Sequence, residues 1–110
     1  MVRVPWLVRH AGGQYNRCTM RSSLQPIRIV CFGDSLTAGF QSPTREHPQG
    51  GATPYGESLQ ERIGSAGQVS ISGICGELTG EMVMRFRKYV LAHKPHYAVI
   101  LGGTNDLGWN

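Results

Sequence analysis

Long apolar runs are missing from this chain, and with them any segment able to cross a bilayer as a helix. The VPWLV stretch near the N-terminus is too short for a signal-peptide core. Cysteine is scarce: Cys18, Cys31 and Cys75 are odd in number and show no CxxC spacing. That argues against a disulfide framework or a zinc site and favours a reducing, cytoplasmic setting. Cys31 falls in an apolar run, and Cys75 by default reads as a small buried hydrophobe. His47, His93 and His96 form no metal-ligand pattern such as HExxH, so neither a metal nor another cofactor is expected. Acidic residues are absent from residues 1–33, which hold Arg3, Arg9, Arg17, Arg21 and Arg28. Beyond them, six Lys or Arg face seven Asp or Glu, so the formal charge of +4 belongs to the N-terminal stretch. No basic residues cluster on a predicted folded face, which disfavours nucleic acid as a partner. Repeats and a second domain are also lacking, and 110 residues is short for one α/β domain.

What is present begins after a stretch without periodicity. Residues 1–26 read as a disordered extension, and their Arg-bearing, acid-free composition also resembles an organelle transit peptide. Ile27 to Phe32 is apolar apart from Arg28 and predicts a buried strand ending at Gly33. Asp34-Ser35-Leu36-Thr37 can then open a helix or turn, with Asp and Ser as candidate caps. Gln41 to Ala52 is a Pro- and Gly-rich loop. Thr53 predicts a helix cap with Pro54 as first helical residue, and Tyr55, Leu59 and Ile63 share one face. Val69 to Ser72 is a short second strand, followed by the glycine-rich stretch Gly73 to Gly80. Thr79 is the expected cap of the next helix, where Met82, Val83, Phe86 and Val90 form a core-facing stripe before Pro95. Tyr97 to Leu101 is a third buried strand, followed at once by Gly102-Gly103-Thr104-Asn105-Asp106.

Alternating strands and helices imply a parallel sheet with right-handed crossovers. The strand ends then open onto one rim, where open α/β sheets place ligands. Ser35, the Gly73 to Gly80 loop and Asn105 share that rim although they are far apart in sequence. Ester cleavage by a serine needs a nucleophile, a base and donors aimed at an oxyanion. Ser35 offers a hydroxyl and a backbone N–H, Gly76 an unobstructed N–H, and Asn105 a side-chain amide. No Lys precedes a Ser or Thr as a P-loop requires, and the glycines at 73, 76 and 80 do not form GxGxxG.

GDSLTAG (Gly33 to Gly39), GICGELT (Gly73 to Thr79) and GGTNDLG (Gly102 to Gly108) resemble the first three blocks of the GDSL, or SGNH, hydrolases. The resemblance covers Ile27 to Asn110. It implies a flavodoxin-like three-layer α/β/α sandwich and hydrolysis of a small-molecule ester, thioester or acetylated sugar without a cofactor. Residue by residue, it makes Ser35 the nucleophile and Gly76 and Asn105 the oxyanion-hole glycine and asparagine, with Gly73 competing for the glycine role. It also implies a sheet order of second, first, third strand, leaving Tyr97 to Leu101 at an edge. The family's DxxH block, source of the catalytic Asp and His, is absent: Asp34 leads to Thr37 and Asp106 to Trp109. The expectation is the N-terminal half of a hydrolase domain over residues 27–110, truncated after the third strand and inactive alone. A non-catalytic binding module that keeps the crevice is the competing reading. Substrate identity and oligomeric state are not legible.

Overall fold

The structure is a computed structural model that describes residues 1–3 and 25–108. Its elements are β1 (Val2–Arg3), β2 (Ile27–Gly33), α1 (Ser35–Ala38), β3 (Phe40–Gln41), β4 (Gly51–Ala52), α2 (Tyr55–Ile63), β5 (Gly67–Gly73), α3 (Thr79–Tyr89), β6 (Tyr97–Leu101) and α4 (Thr104–Gly108). The main sheet has the order β1-β6-β2-β5, with β2 parallel to both β5 and β6. The second, first, third order among the parallel strands is the expected one. β3 and β4 pair antiparallel and close the base of the Pro- and Gly-rich loop.

β2 is central, which is why its sequence is nearly all apolar: a strand covered on both faces has no polar side to show. Val30, Cys31 and Phe32 are at most 1% exposed. Because alternate residues face opposite ways, register sorts the core into two sides. Val30 and Phe32, with Ala98 opposite Val30, pack against Met82, Phe86 and Val90 on the α3 side. Phe86 meets the Phe32 ring edge-on, with centroids 5.5 Å apart. Ile29 and Cys31 lie in register with Val69 and Ile71 on the other face. There α2 comes so close that a Cβ on Gly56 would sit 2.6 Å from the Ile71 side chain. The crossovers from β2 to β5 and from β5 back past β2 to β6 have the same hand and run in opposite directions across the sheet, which puts α2 and α3 on opposite faces. Each large side chain buried in this way contributes roughly 1.5–3 kcal/mol.

Several local expectations shift. Pro54 occupies the cap position before α2 instead of the first helical position. Val83 leaves the core stripe and is 75% exposed, because no described element covers the face of α3 beyond Met82 and Phe86. The expectation of disorder for residues 1–26 falls mostly outside the described residues, as does Cys18. At its start, however, Val2 and Arg3 pair antiparallel with Ala98 and Tyr97 of β6. At the opposite end of the sheet from the rim, the Arg28 amide donates to His96 Nδ1 at 2.9 Å, and the His96 amide donates to the Arg28 carbonyl at 2.8 Å. Burial and the Arg28 charge push the His96 imidazole below its ordinary pKa, so it stays neutral and keeps its acceptor.

The β1 pairing leaves Ile100 and Leu101 at the outer edge, 49% and 40% exposed. Beside them lies an apolar groove of about 480 Å³, whose lining includes Phe32, Met82, Val83, Phe86 and Ile100. An exposed apolar strand edge beside such a groove invites association. The purified 110-residue chain is therefore expected to sediment as oligomers, and Ile100→Lys to shift it toward monomer. A compact wild-type monomer with a sharp cooperative melt would contradict this.

Candidate active site

Sheet register sets the level of the rim. Gly33, the last residue of β2, lies opposite Gly73 of β5 and Leu101 of β6, so the three strands end together. Crowding there excludes a side chain: a Cβ on Gly33 would stand 2.1 Å from the Leu101 carbonyl oxygen and 2.4 Å from Thr37 Oγ1. The Asp34 amide donates to that same Leu101 oxygen at 3.3 Å. Asp34 is the N-cap of α1, its carboxylate accepting from the Leu36 amide at 3.0 Å. The capping expectation thus holds for Asp34, while Ser35 is the first helical residue and half-buried. α1 is a single turn closed by Gly39 in the left-handed region, φ 71°. So short a helix adds little dipole, and the individual N–H groups matter more.

Beneath this turn is a polar layer that sequence reasoning missed. Thr37 and Asp34 are 0% and 1% exposed. Thr37 Oγ1 lies 3.4 Å from the Tyr55 hydroxyl, and Asp34 Oδ2 is buried without a hydrogen-bond partner among the described residues. Burial raises the pKa of the Tyr55 hydroxyl and of the Cys31 thiol, so both remain protonated. An Asp-Ser-Leu-Thr turn reads locally as caps. The burial of Asp34 and Thr37 depends on α2, which the local pattern does not contain.

The loop after β5 is pinned at its start by the Ile74 amide, which donates to the Gly33 carbonyl at 3.1 Å. Gly73 is spoken for by packing, since a Cβ there would lie 2.3 Å from the Ala38 nitrogen. Gly76 differs: its φ is +76°, and open space surrounds the place where a Cβ would be. Cys75 is exposed in this loop, not buried as its residue type suggests, because the loop stands clear of the sheet. Glu77, by contrast, is buried at 6% exposure and holds Arg85 through Nε to Oε1 at 2.6 Å and Nη2 to Oε2 at 2.5 Å. Arg85 also donates from Nη1 to Ser72 Oγ at 2.6 Å and from Nη2 to the Gly33 carbonyl at 2.9 Å. Neither member of this pair stood out in the sequence. The available signal was Arg85's place three residues after Met82, a charge on a buried stripe that demands a buried partner.

Asn105 lies in α4, directly after β6, and its Nδ2 donates to the Glu77 carbonyl at 3.0 Å. Asp106 accepts from Thr79 Oγ1 at 2.8 Å and from the Thr79 amide at 3.1 Å. Thr79 is therefore not the cap of α3. It is the first helical residue, Leu78 occupies the cap position with its amide donating to Glu81, and Asp106 reaches across to help close the helix end. The Thr79 bonds hold the Asp106 carboxyl below its ordinary pKa. The serine turn, the glycine loop and the asparagine turn are thus joined at one rim. His96 is not among them: its partner Arg28 lies five steps along β2 from Gly33, about 16 Å at strand rise. His47 and His93 lie in the loop before β4 and in the turn before β6. Among the described residues, no three His, Cys, Asp or Glu side chains converge on a possible metal position, and no helix is long and apolar enough to cross a membrane.

A family model described as the GDSL-like lipase/acylhydrolase family matches residues 31–110. The chain belongs to that family. Among solved structures, this GDSL-like chain is similar to a lipase/acylhydrolase from Enterococcus faecalis, at 33% identity and a TM-score of 0.55. That match covers 76% of this chain and 43% of the other. It shares its fold with a variant of Axe2, an acetyl xylan esterase from Geobacillus stearothermophilus, at 22% identity and a TM-score of 0.56, covering 74% and 41% of the two chains. A curated relative, described as the uncharacterized lipoprotein YqeF of Bacillus subtilis strain 168, is 35% identical over 78 residues. The alignment covers 71% of the GDSL-like chain and 31% of YqeF, so the chain spans less than half the length of these relatives.

The Asp106–Thr79 contact sets one expectation. A carboxyl whose folded pKa lies below its unfolded value adds stability above the ordinary carboxylate range, lost as pH falls through the lowered value. Asp106→Asn should lower the melting temperature by a few degrees at pH 7. The gap to wild type should close on acidification below about pH 4. Melting curves across pH 3–7 check this.

Proposed function

We propose that this chain carries the nucleophile and the oxyanion-binding groups of a serine ester hydrolase, with a small-molecule ester as substrate. The observation that supports this most is the shared rim: the Ser35 turn, the loop holding Gly76 and the turn holding Asn105 leave three strands ending in register, and Glu77 bonds the last two together. In this reading Ser35 Oγ attacks the acyl carbon and gives up its proton to a base. The resulting oxyanion is met by the Ser35 N–H, the Gly76 N–H and an Asn105 side-chain N–H. An amide nitrogen carries two hydrogens, so the bond from Asn105 to the Glu77 carbonyl leaves one for this task. Gly76 is preferred to Gly73 because its surroundings are open, whereas Gly73 is closed off by α1. Collapse of the intermediate expels the alcohol, protonated by the base, and water then releases the acid from the acyl-serine.

The base is the missing part. His93 and His96 lie before β6, at the end of the sheet away from the rim, and His47 lies in the loop between β3 and β4; the family resemblance assigns the role of base to a DxxH block which this sequence lacks. Residues 1–110 alone should hydrolyse p-nitrophenyl acetate no faster than their own Ser35→Ala variant. A clear serine-dependent rate would overturn the assignment of the base to another segment.

In the domain completed by a DxxH-bearing segment, Ser35→Ala should abolish both turnover and fluorophosphonate labelling. Asn105→Ala should lower kcat by about a hundred- to a thousand-fold with little change in KM, as expected for one lost oxyanion donor. Ser58→Ala, on the exposed side of α2, should keep full activity. An Asn105→Ala enzyme that melts like wild type and keeps its rate would remove Asn105 from the oxyanion hole.

A further inference from the structure

We infer that Arg85 and Glu77 are positioning residues that hold the oxyanion donors in place, an inference resting on the reading of Gly76 and Asn105 given above. Among the described residues no atom lies within 4 Å of the Gly76 Cβ position, and glycine has no side chain of its own to anchor the loop. The direction of its N–H is therefore set by the bonded residues on either side. Upstream, the Ile74 amide is tied to the Gly33 carbonyl. Downstream, the next residue is Glu77, whose carboxylate is gripped by both edges of the Arg85 guanidinium.

Glu77 is placed to control both donors. Its amide nitrogen is joined to Gly76, and its carbonyl oxygen accepts from Asn105 Nδ2. Holding Glu77 therefore holds both of its flanking peptides: its amide closes the turn around Gly76 by donating to the Ile74 carbonyl at 3.4 Å, and its carbonyl carries the Asn105 side-chain amide. Arg85 in turn is located by the strand ends, donating to the Gly33 carbonyl, to Ser72 Oγ and, at 3.4 Å, to the Ser72 carbonyl. Its guanidinium carbon stands 4.1 Å from the Phe32 ring centroid, so the core sets the plane of the fork. A planar fork with five donors can serve the carboxylate and both strand ends together, and a lysine ammonium cannot.

A purely stabilising pair would act differently. Buried ion pairs add little net stability relative to apolar replacements of similar size, so the contacts here are better accounted for by geometry. The test is hydrogen exchange followed by mass spectrometry on the 110-residue chain, which tolerates an associating protein. The Glu77→Leu/Arg85→Met double variant removes the pair without stranding a buried charge, and Arg85→Lys keeps the charge while losing the fork. Both should raise exchange at Ile74 and residue 77 by at least about tenfold, while Val30 and Cys31 in β2 keep wild-type protection. Exchange that rises equally in loop and strand, or stays unchanged in the loop, would overturn the inference. If the double variant fails to fold, Arg85→Lys decides between these outcomes. No chemistry at Ser35 enters this readout, so failure of the hydrolase reading and failure of the clamp are distinguishable.

Discussion

A guanidinium taken out of water must have its donors answered, and the Arg85 fork is answered from the ends of two strands and from the loop that follows the second of them. Its partners are the Gly33 carbonyl, Ser72 and the Glu77 carboxylate. Stripping solvent from such a pair costs several kcal/mol per ion, and removing one member of a buried pair typically costs about 3–5 kcal/mol. The ends of β2 and β5 are therefore coupled through one side chain in addition to their ladder. Asn105 is attached to the same assembly through the Glu77 carbonyl, and Asp106 attaches the following turn to α3 through Thr79. At this level the apolar core ends on Phe32 and Met82, and the pair carries the packing on from Phe32 into the loop.

Glycine serves two separate purposes at this rim. At Gly33, Gly73 and Gly102 a Cβ would collide with neighbouring atoms, so these residues let elements approach one another. At Gly76 and Gly103 the requirement is conformational, with φ of 76° and 103°. One composition therefore conceals two demands, and the sequence cannot sort them. Which glycine faces open space is decided by the packing of α1 against the end of β5.

What could be read from the sequence was what local pattern determines. The continuous apolar run of β2 announced a strand covered on both faces, and strand–helix alternation announced a parallel sheet with its ends at one rim. The resemblance named the three blocks that meet there. What escaped reading was contact between segments distant in the chain. Thr79 looks like a cap in its own neighbourhood, yet its partner Asp106 lies 27 residues on. Val83 continues a helical stripe that has no cover on that side, and Cys75 is a small apolar residue in a loop that stands clear. Thr37 belongs to a hydrophilic tetrapeptide and ends up fully buried beside Tyr55. In each case burial follows from the tertiary neighbour and not from the residue's own character.

The central position of β2 also bears on how the site comes into being. Its partners arrive late: Ile29 pairs with Val69 on one side and with Tyr97 on the other. Contacts closed over such long stretches of chain form slowly, because loop-closure entropy is lost before the contact is gained. During synthesis the serine turn leaves the ribosome first, with neither of its strand neighbours yet available. The groups around Ser35 cannot assemble until β6 has docked and carried Asn105 to the rim. Docking of β6 thus completes the parallel ladder and the rim in the same step, and a chain arrested earlier would present the serine turn without the asparagine turn beside it.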